Sequence, residues 1–244
     1  MKRRFLMIML VLAMTSSLSL SSSAFTEPPP SSNKKTIEPA LTDVAKVVEL
    51  KDGSIEIYPY DPDAFIEQMG IKKPSPDAQL VRIKRVKGKS SGQEVQELKE
   101  RNITAAPFLG LYVQKTGTST GTSPDRIARG RIMCSITSGC QNLRVEINTT
   151  DSVYAEFSAN YEVSAEVVSA GVGYTIGSSK SVTITGSETR AVPYNKYLVI
   201  DAYPRIEITG FEIFDKGIFS TKKVGSGSSW RAVNNEMDFV VWIQ

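Results

Sequence analysis

The hydrophobic pattern is sharpest between Val153 and Gly186. From 153 to 167 every odd position is apolar (Val153, Ala155, Phe157, Ala159, Tyr161, Val163, Ala165, Val167), while Glu156, Ser158, Asn160, Glu162, Ser164 and Glu166 fill even ones. Alternation with period two predicts an extended strand with one apolar face. After Val167 the phase inverts: Val168, Ala170, Val172, Tyr174, Ile176, Val182 and Ile184 now carry the apolar set at even positions. A hairpin loop of even length at 167–168 keeps both sets on one face, and a β-bulge inverts the phase equally well. The odd-length turn 177–181 then sets Ile176 opposite Val182 and Tyr174 opposite Ile184. A half-buried antiparallel sheet reads this way, and so does a membrane-spanning strand, which needs about 9–11 residues.

The remaining runs divide the chain. Residues 107–114, 131–136, 142–148, 197–202, 205–214 and 238–243 are β-rich and separated by Gly, Ser, Pro and Asn. Residues 41–105 mix signals. Asp52-Gly53 predicts a type I′ hairpin turn that sets Leu50 opposite Ile55 and Val48 opposite Ile57, all four on one buried face. Asp61-Pro62 reads as an N-cap and first-turn proline opening a helix that ends at Gly70, with Phe65, Ile66 and Met69 inward. Leu80–Val86 alternates as a strand, and Ser91-x-x-Glu94 is a capping box for a second short helix with Val95 and Leu98 inward. The expected fold class is mainly β: an elongated antiparallel β-sheet or sandwich domain (106–244) preceded by a small α+β region (41–105).

The first 24 residues form a basic start (Lys2, Arg3, Arg4), an apolar core from Phe5 to Met14 and a small-residue stretch ending at Ala24. This is the pattern of an export signal cleaved between Ala24 and Phe25, its core well short of the roughly 20 residues that span a bilayer. A Pro/Ser-rich leader follows at 25–40. Export makes Cys134 and Cys140 a disulfide pair across a loop containing Gly139. The expected location is therefore extracellular.

Composition then removes whole classes of chemistry. The chain of 244 residues has no His, which excludes a Ser-His-Asp triad, a Cys-His pair and an HExxH zinc helix. Gly171-Val-Gly173-Tyr-Thr-Ile-Gly177 is not a dinucleotide loop, and two Cys alone cannot complete a structural zinc site. No catalytic, cofactor-binding or metal-ligating residue is expected. Glu156, Glu162 and Glu166 are the acids a glycosidase would have to draw on, though they fall on a predicted solvent face. Trp230 and Trp242 read as core aromatics. The formal net charge is +3, and Lys2, Arg3 and Arg4 supply all of it. The neutral remainder hides a basic block at 71–131, which includes Lys72, Lys73, Arg82, Lys84, Arg85, Arg126, Arg129 and Arg131, between acidic flanks. That block either docks on the chain's own acids or attracts anionic partners; export and sparse aromatics weigh against nucleic acid.

The runs SANYEVSAEVVSAGVGYTIGSSKSVTITGS, VPYNKYLVIDAYP and IEITGFEIFDKG resemble a group of secreted β-rich proteins of Gram-positive bacteria. They are also similar to aerolysin-type β-pore-forming toxins, whose inserting hairpins are rich in Ser and Thr. The resemblance covers roughly residues 106–215 and implies an elongated antiparallel fold without assigning any residue a role. The leading expectation is a secreted, non-enzymatic protein that binds or assembles at the cell exterior, partnered by a cell-surface component, a membrane or copies of itself. The alternative is an aerolysin-like pore former using segment 153–186, and a third reading is a secreted carbohydrate-active hydrolase.

Overall fold

In the computed structural model, which describes residues 41–87 and 109–244, the frame is a ladder between β9 (Tyr197–Lys216) and β10 (Thr221–Ile243). Residues 198–206 of β9 are buried on both faces, which is why Leu-Val-Ile-Asp-Ala-Tyr reads as a nearly continuous apolar run instead of alternating. The ladder slips between Ala232 and Met237, opposite Pro204, which has no amide to donate. Past the slip, β10 pairs with β3 (Gln79–Lys87) and β9 with β5 (Ala128–Met133). Before it, β10 pairs with β7 (Glu156–Ala159) and β9 with β4 (Gly110–Thr122). The hairpin of β1 (Ala45–Glu49) and β2 (Ile55–Pro59) extends the sheet from β3, giving the order β1-β2-β3-β10-β9-β4. A separate two-stranded sheet joins β6 (Cys140–Tyr154) and β8 (Ser179–Val192). The mainly β, antiparallel class expected from the sequence is what the chain adopts.

Among the described residues, three short helices accompany the sheet: α1 (Leu41–Val44), α2 (Pro62–Met69) and α3 (Ala165–Val172). In α2 the Asp61 side chain accepts the Ala64 amide at 3.1 Å, Pro62 opens the first turn, and Gly70 closes it at φ 67°. Phe65, Ile66 and Met69 pack with Ile57, Ile83, Tyr203, Val240 and Trp242 in one core. The opposite face of the sheet, through Leu198, Ile200, Ala202, Phe239 and Val241, packs on β6 and β8. A third cluster joins α3 to Val113, Phe211 and Ile213.

The β1–β2 hairpin departs from its expected register. Val47 faces Ile57 and Glu49 faces Ile55, one residue off the predicted pairing, across a five-residue loop in which the Leu50 amide donates to the Ser54 carbonyl at 2.8 Å. Only Gly53 has positive φ there, whereas a type I′ turn needs two such residues. A slip of one flips every side chain, so Val48 leaves the face that Ile57 occupies. The predicted cleavage site at Ala24–Phe25, the leader and the Ser91–Glu94 capping box lie outside the described residues. The Cys134 and Cys140 sulfurs lie 2.07 Å apart, at bonding distance, and join the start of β6 to the loop after β5.

Two acids sit fully buried on the central ladder. Asp201 accepts Arg129 at 2.6 and 2.8 Å and the Trp242 indole N–H at 3.1 Å. Asp238 accepts Arg85 at 2.8 and 3.1 Å and the Thr122 hydroxyl, with Arg205 Nη1 at 3.7 Å. Removing one partner of such a pair strands the rest in low dielectric. Asp238→Ala is therefore expected to lower unfolding stability by about 3–5 kcal/mol, measured by urea denaturation; a loss under 1 kcal/mol would contradict that placement.

Candidate functional site

Among the described residues, β6 and β8 form a sheet of their own, and an insert, 155–178, joins them. The two strands, of 15 and 14 residues, pair only with each other among the described residues. Their register runs from Val145 opposite Glu188 to Tyr154 opposite Ser179 without a slip. Val145, Ile147, Val182, Ile184 and Val192 are buried against the main sheet, while Arg144, Glu146, Asn148, Thr183, Thr185 and Ser187 face outward. An amphipathic two-stranded ribbon is present, but it is not the predicted hairpin: it joins 140–154 to 179–192. Val182 faces Asp151 and Ile184 faces Thr149, in place of Ile176 and Tyr174, because 177–181 bends back to β6 and does not close a tight hairpin.

Glycine brings the ribbon down onto the sheet at two points. A Cβ on Gly186 would lie 2.4 Å from the Phe239 ring, and one on Gly130 would lie 2.9 Å from both the Glu146 carbonyl oxygen and Val145. Beside Gly186 the layers part, leaving a crevice of about 310 Å3 lined by Val86, Ile147, Ile200, Phe239, Lys84 and Glu146. The ribbon carries one buried charge, Glu188, which is ion-paired to Arg82 of β3; Arg82 also binds Glu56 of β2. Burial alone would lower the Arg82 pKa, but its bond to Glu188, helped by Tyr58 and Glu56, raises it on balance. Several cations of the basic block are thus spent inside the molecule: Arg82, Arg85 and Arg129 bind Glu188, Asp238 and Asp201, and Lys73 lies 2.7 Å from Asp63.

The insert overturns the expectation of continuous strands over 153–176. Only Glu156–Ala159 is strand (β7), and Ala165–Val172 is helical. Ser164 caps α3 by accepting the Val167 amide at 3.4 Å, and Gly173 ends it at φ 87°. Helix prevails because period 3.6 brings Val168 and Val172 to one side, where Val113, Phe211 and Ile213 bury them. Its eight residues include three Val and Gly171, a composition weak in helix propensity, so packing and not local preference holds it. Polar ties complete the docking. The Tyr174 hydroxyl donates to Ser229 at 2.8 Å, the Ser226 amide donates to Asn160 at 2.7 Å, and the Ile176 amide donates to the Ser169 hydroxyl at 2.9 Å. Glu156, Glu162 and Glu166 are all exposed, and among the described residues no cluster of acids capable of holding a metal forms. Trp242 is core, as expected, whereas Trp230 is only half-buried and belongs to none of the three clusters.

Fold and site together define a mainly β, antiparallel protein that carries an amphipathic two-stranded ribbon docked by one face. No family model matches the chain, and no curated protein sequence matches it. Among solved structures it is similar to a candidate pore-forming toxin from Bacteroides vulgatus, at 8% identity and TM-score 0.26 over 84% of this chain and 82% of that one. It is also similar to parasporin-2, the Bacillus thuringiensis toxin that recognizes cancer cells, at 13% identity and TM-score 0.21 over 56% of this chain and 69% of that one. Superpositions at such scores carry no weight for fold or function.

The docking geometry is testable directly. In Gly186→Val the new side chain collides with the buried Phe239 ring, so the variant is expected to lose about 1–3 kcal/mol of stability. Hydrogen exchange should quicken in β6 and β8 while β9 and β10 stay protected. Uniform quickening across all four strands would mean that the ribbon is not a separable layer.

Proposed function

We propose that the chain is an exported β-pore-forming protein in which the insert leaves its docked fold and extends the β6–β8 ribbon into a membrane-spanning hairpin. One observation carries this reading. The ribbon's register ends with Tyr154 opposite Ser179, and the Ala155 amide still donates to the Ser178 carbonyl at 2.8 Å. Continued without a slip, that register sets Phe157 opposite Ile176, Ala159 opposite Tyr174, Tyr161 opposite Val172, Val163 opposite Ala170 and Ala165 opposite Val168, with Glu166-Val167 as a two-residue turn. Every apolar position of the alternating segment except Val167, in the turn, then falls on one face. Each arm holds about a dozen residues, enough for the 9–11 that a spanning strand needs. The face contains no charge, whereas the same face of the docked ribbon carries Asp151, Lys180, Glu188 and Arg190, so the insert and not β6 or β8 is the bilayer segment.

Period-two alternation is what the insert's sequence encodes, yet the docked chain folds eight of its residues, Ala165–Val172, as a helix. Conflicts between local pattern and tertiary structure are expected at functional or strained sites. Among the described residues no helix is long and apolar enough to cross a membrane, and a barrel crosses with strands. Secretion through cleavage after Ala24, and assembly with copies of itself, belong to the same proposal. The energetic source is the transfer into lipid of ten apolar side chains, of which only Val168 and Val172 are fully buried in the docked fold.

Mature protein is expected to release dye from liposomes and to form detergent-resistant oligomers. Ser158 and Ser228 are cross-strand partners of β7 and β10, about 5.5 Å apart at Cα as hydrogen-bonded antiparallel neighbours are. The double variant Ser158→Cys, Ser228→Cys should stay silent when oxidised and recover on reduction, with wild-type protein in the same reductant as the control. Dye release by the oxidised variant would rule the refolding out. No release by wild-type protein on any membrane would leave a binding protein of the cell exterior.

The opposite face of the extended hairpin carries Glu156 and Glu162 and no basic residue. Rings of acids lining a pore favour cations. Planar-bilayer reversal potentials should accordingly indicate cation selectivity that falls in Glu156→Gln, Glu162→Gln; an anion-selective pore would contradict this assignment of faces.

A further inference from the structure

The far end of the β9–β10 ladder closes in a tight turn, in which the Gly217 amide donates to the Ser220 carbonyl at 2.9 Å. Ile218 and Phe219 are its two central residues, 77% and 98% exposed. Such positions favour Gly, Asn or Asp, whose short side chains suit the turn and are readily hydrated. Nothing in the fold calls for Ile and Phe there: neither belongs to any of the three cores, and Phe219 is the most exposed large apolar residue among the described ones. Leu109, also exposed, adjoins Gly110, which pairs with Lys216 at the same end. Lys216, Lys222 and Lys223 bracket the turn; Asp215 lies across from Lys222, and Glu212 binds Lys223 at 2.6 Å. Tyr112 stacks on Phe214 at 5.3 Å and stiffens the base of the turn.

We propose that the Gly217–Ser220 turn is a lipid-surface anchor that sinks Ile218 and Phe219 into the bilayer interface while Lys216 and Lys222 meet anionic headgroups. An apolar and an aromatic side chain at a projecting tip, flanked by lysines whose stems reach back to the headgroups, match the chemistry of that interface. A protein partner fits less well. A specific protein interface buries roughly 800 Å2 on each partner, far more than a two-residue tip offers, whereas a lipid surface requires no shaped complement. The proposal rests on pore formation only for the reason the chain meets lipid, and binding is read separately from leakage.

The test is co-sedimentation of the full mature chain with phosphatidylcholine vesicles, with and without phosphatidylglycerol. Ile218→Asn, Phe219→Gly suits the turn, so it should fold and melt as wild type while losing about a hundredfold in partitioning, roughly tenfold for each apolar side chain. Lys216→Gln, Lys222→Gln should lose about fivefold per lysine, and only on vesicles containing phosphatidylglycerol. In Phe219→Trp the indole emission should shift to the blue on vesicle addition. Vesicle binding that is unchanged in Ile218→Asn, Phe219→Gly overturns the proposal, as does wild-type protein that fails to sediment. A self-association that this variant abolishes while vesicle binding persists would mark the turn as a contact between copies, and overturns it too. A chain that sediments through the tip but releases no dye would refute pore formation and leave the anchor standing.

Discussion

The β9–β10 ladder is the constraint on which the other elements depend. Because its alternate side chains point to opposite faces, one pair of strands serves the α2 core through Val199, Tyr203, Val240 and Trp242, and the ribbon core through Leu198, Ile200, Phe239 and Val241. Four further strands hydrogen-bond to its edges, two on each side of the slip at Pro204. Both fully buried acids, Asp201 and Asp238, also lie on it, and each binds arginine from a flanking strand, Arg129 of β5 and Arg85 of β3. The sheet's lateral order is thus written in charge as well as in hydrogen bonds, and a misplaced flanking strand would leave a carboxylate buried without its cation.

The ribbon and insert are attached differently. They meet the main sheet through side-chain packing at Gly130 and Gly186, through the Arg82–Glu188 pair, through α3 on Val113, Phe211 and Ile213, and through β7's short pairing with β10. Contacts of this kind release as a unit, because one layer can leave without breaking the main-chain ladder beneath it. The proposed extension would ask nothing new of β6 and β8, because their register, continued past Tyr154 and Ser179, would set Phe157 opposite Ile176. The pairing of β6 with β8 ends at Tyr154 and Ser179, so the segment proposed to refold is 155–178.

Legibility in the sequence followed how local each determinant is. Helix α2 was legible because Asp61, Pro62 and Gly70 are local signals, and the structure uses all three. The β1–β2 register was missed by one residue because a single torsion, at Gly53, decides the loop length. The strand expected at 165–172 became a helix because Val113, Phe211 and Ile213, remote in sequence, reward the 3.6-residue period at Val168 and Val172. Of the ribbon, the alternation was visible, but its pairing partners lay across the insert. The buried roles of Asp201, Asp238 and Glu188 leave no trace in a linear charge count. Ile218-Phe219 did leave one, an apolar pair between Gly217 and Ser220 just past the expected strand end, where turn residues are ordinarily polar.

The central claim, that the insert becomes the continuation of the β6–β8 ladder in a membrane, is tested most directly by placing an environment-sensitive fluorophore at single cysteines along 155–178 in liposome-bound oligomers. The account predicts a lipid signal at 157, 159, 161 and 163, water at the positions between them, and a reversed phase with lipid at 168, 170, 172, 174 and 176. A 3.6-residue period across 165–172, or a pattern unchanged from that of the protein in solution, would contradict it.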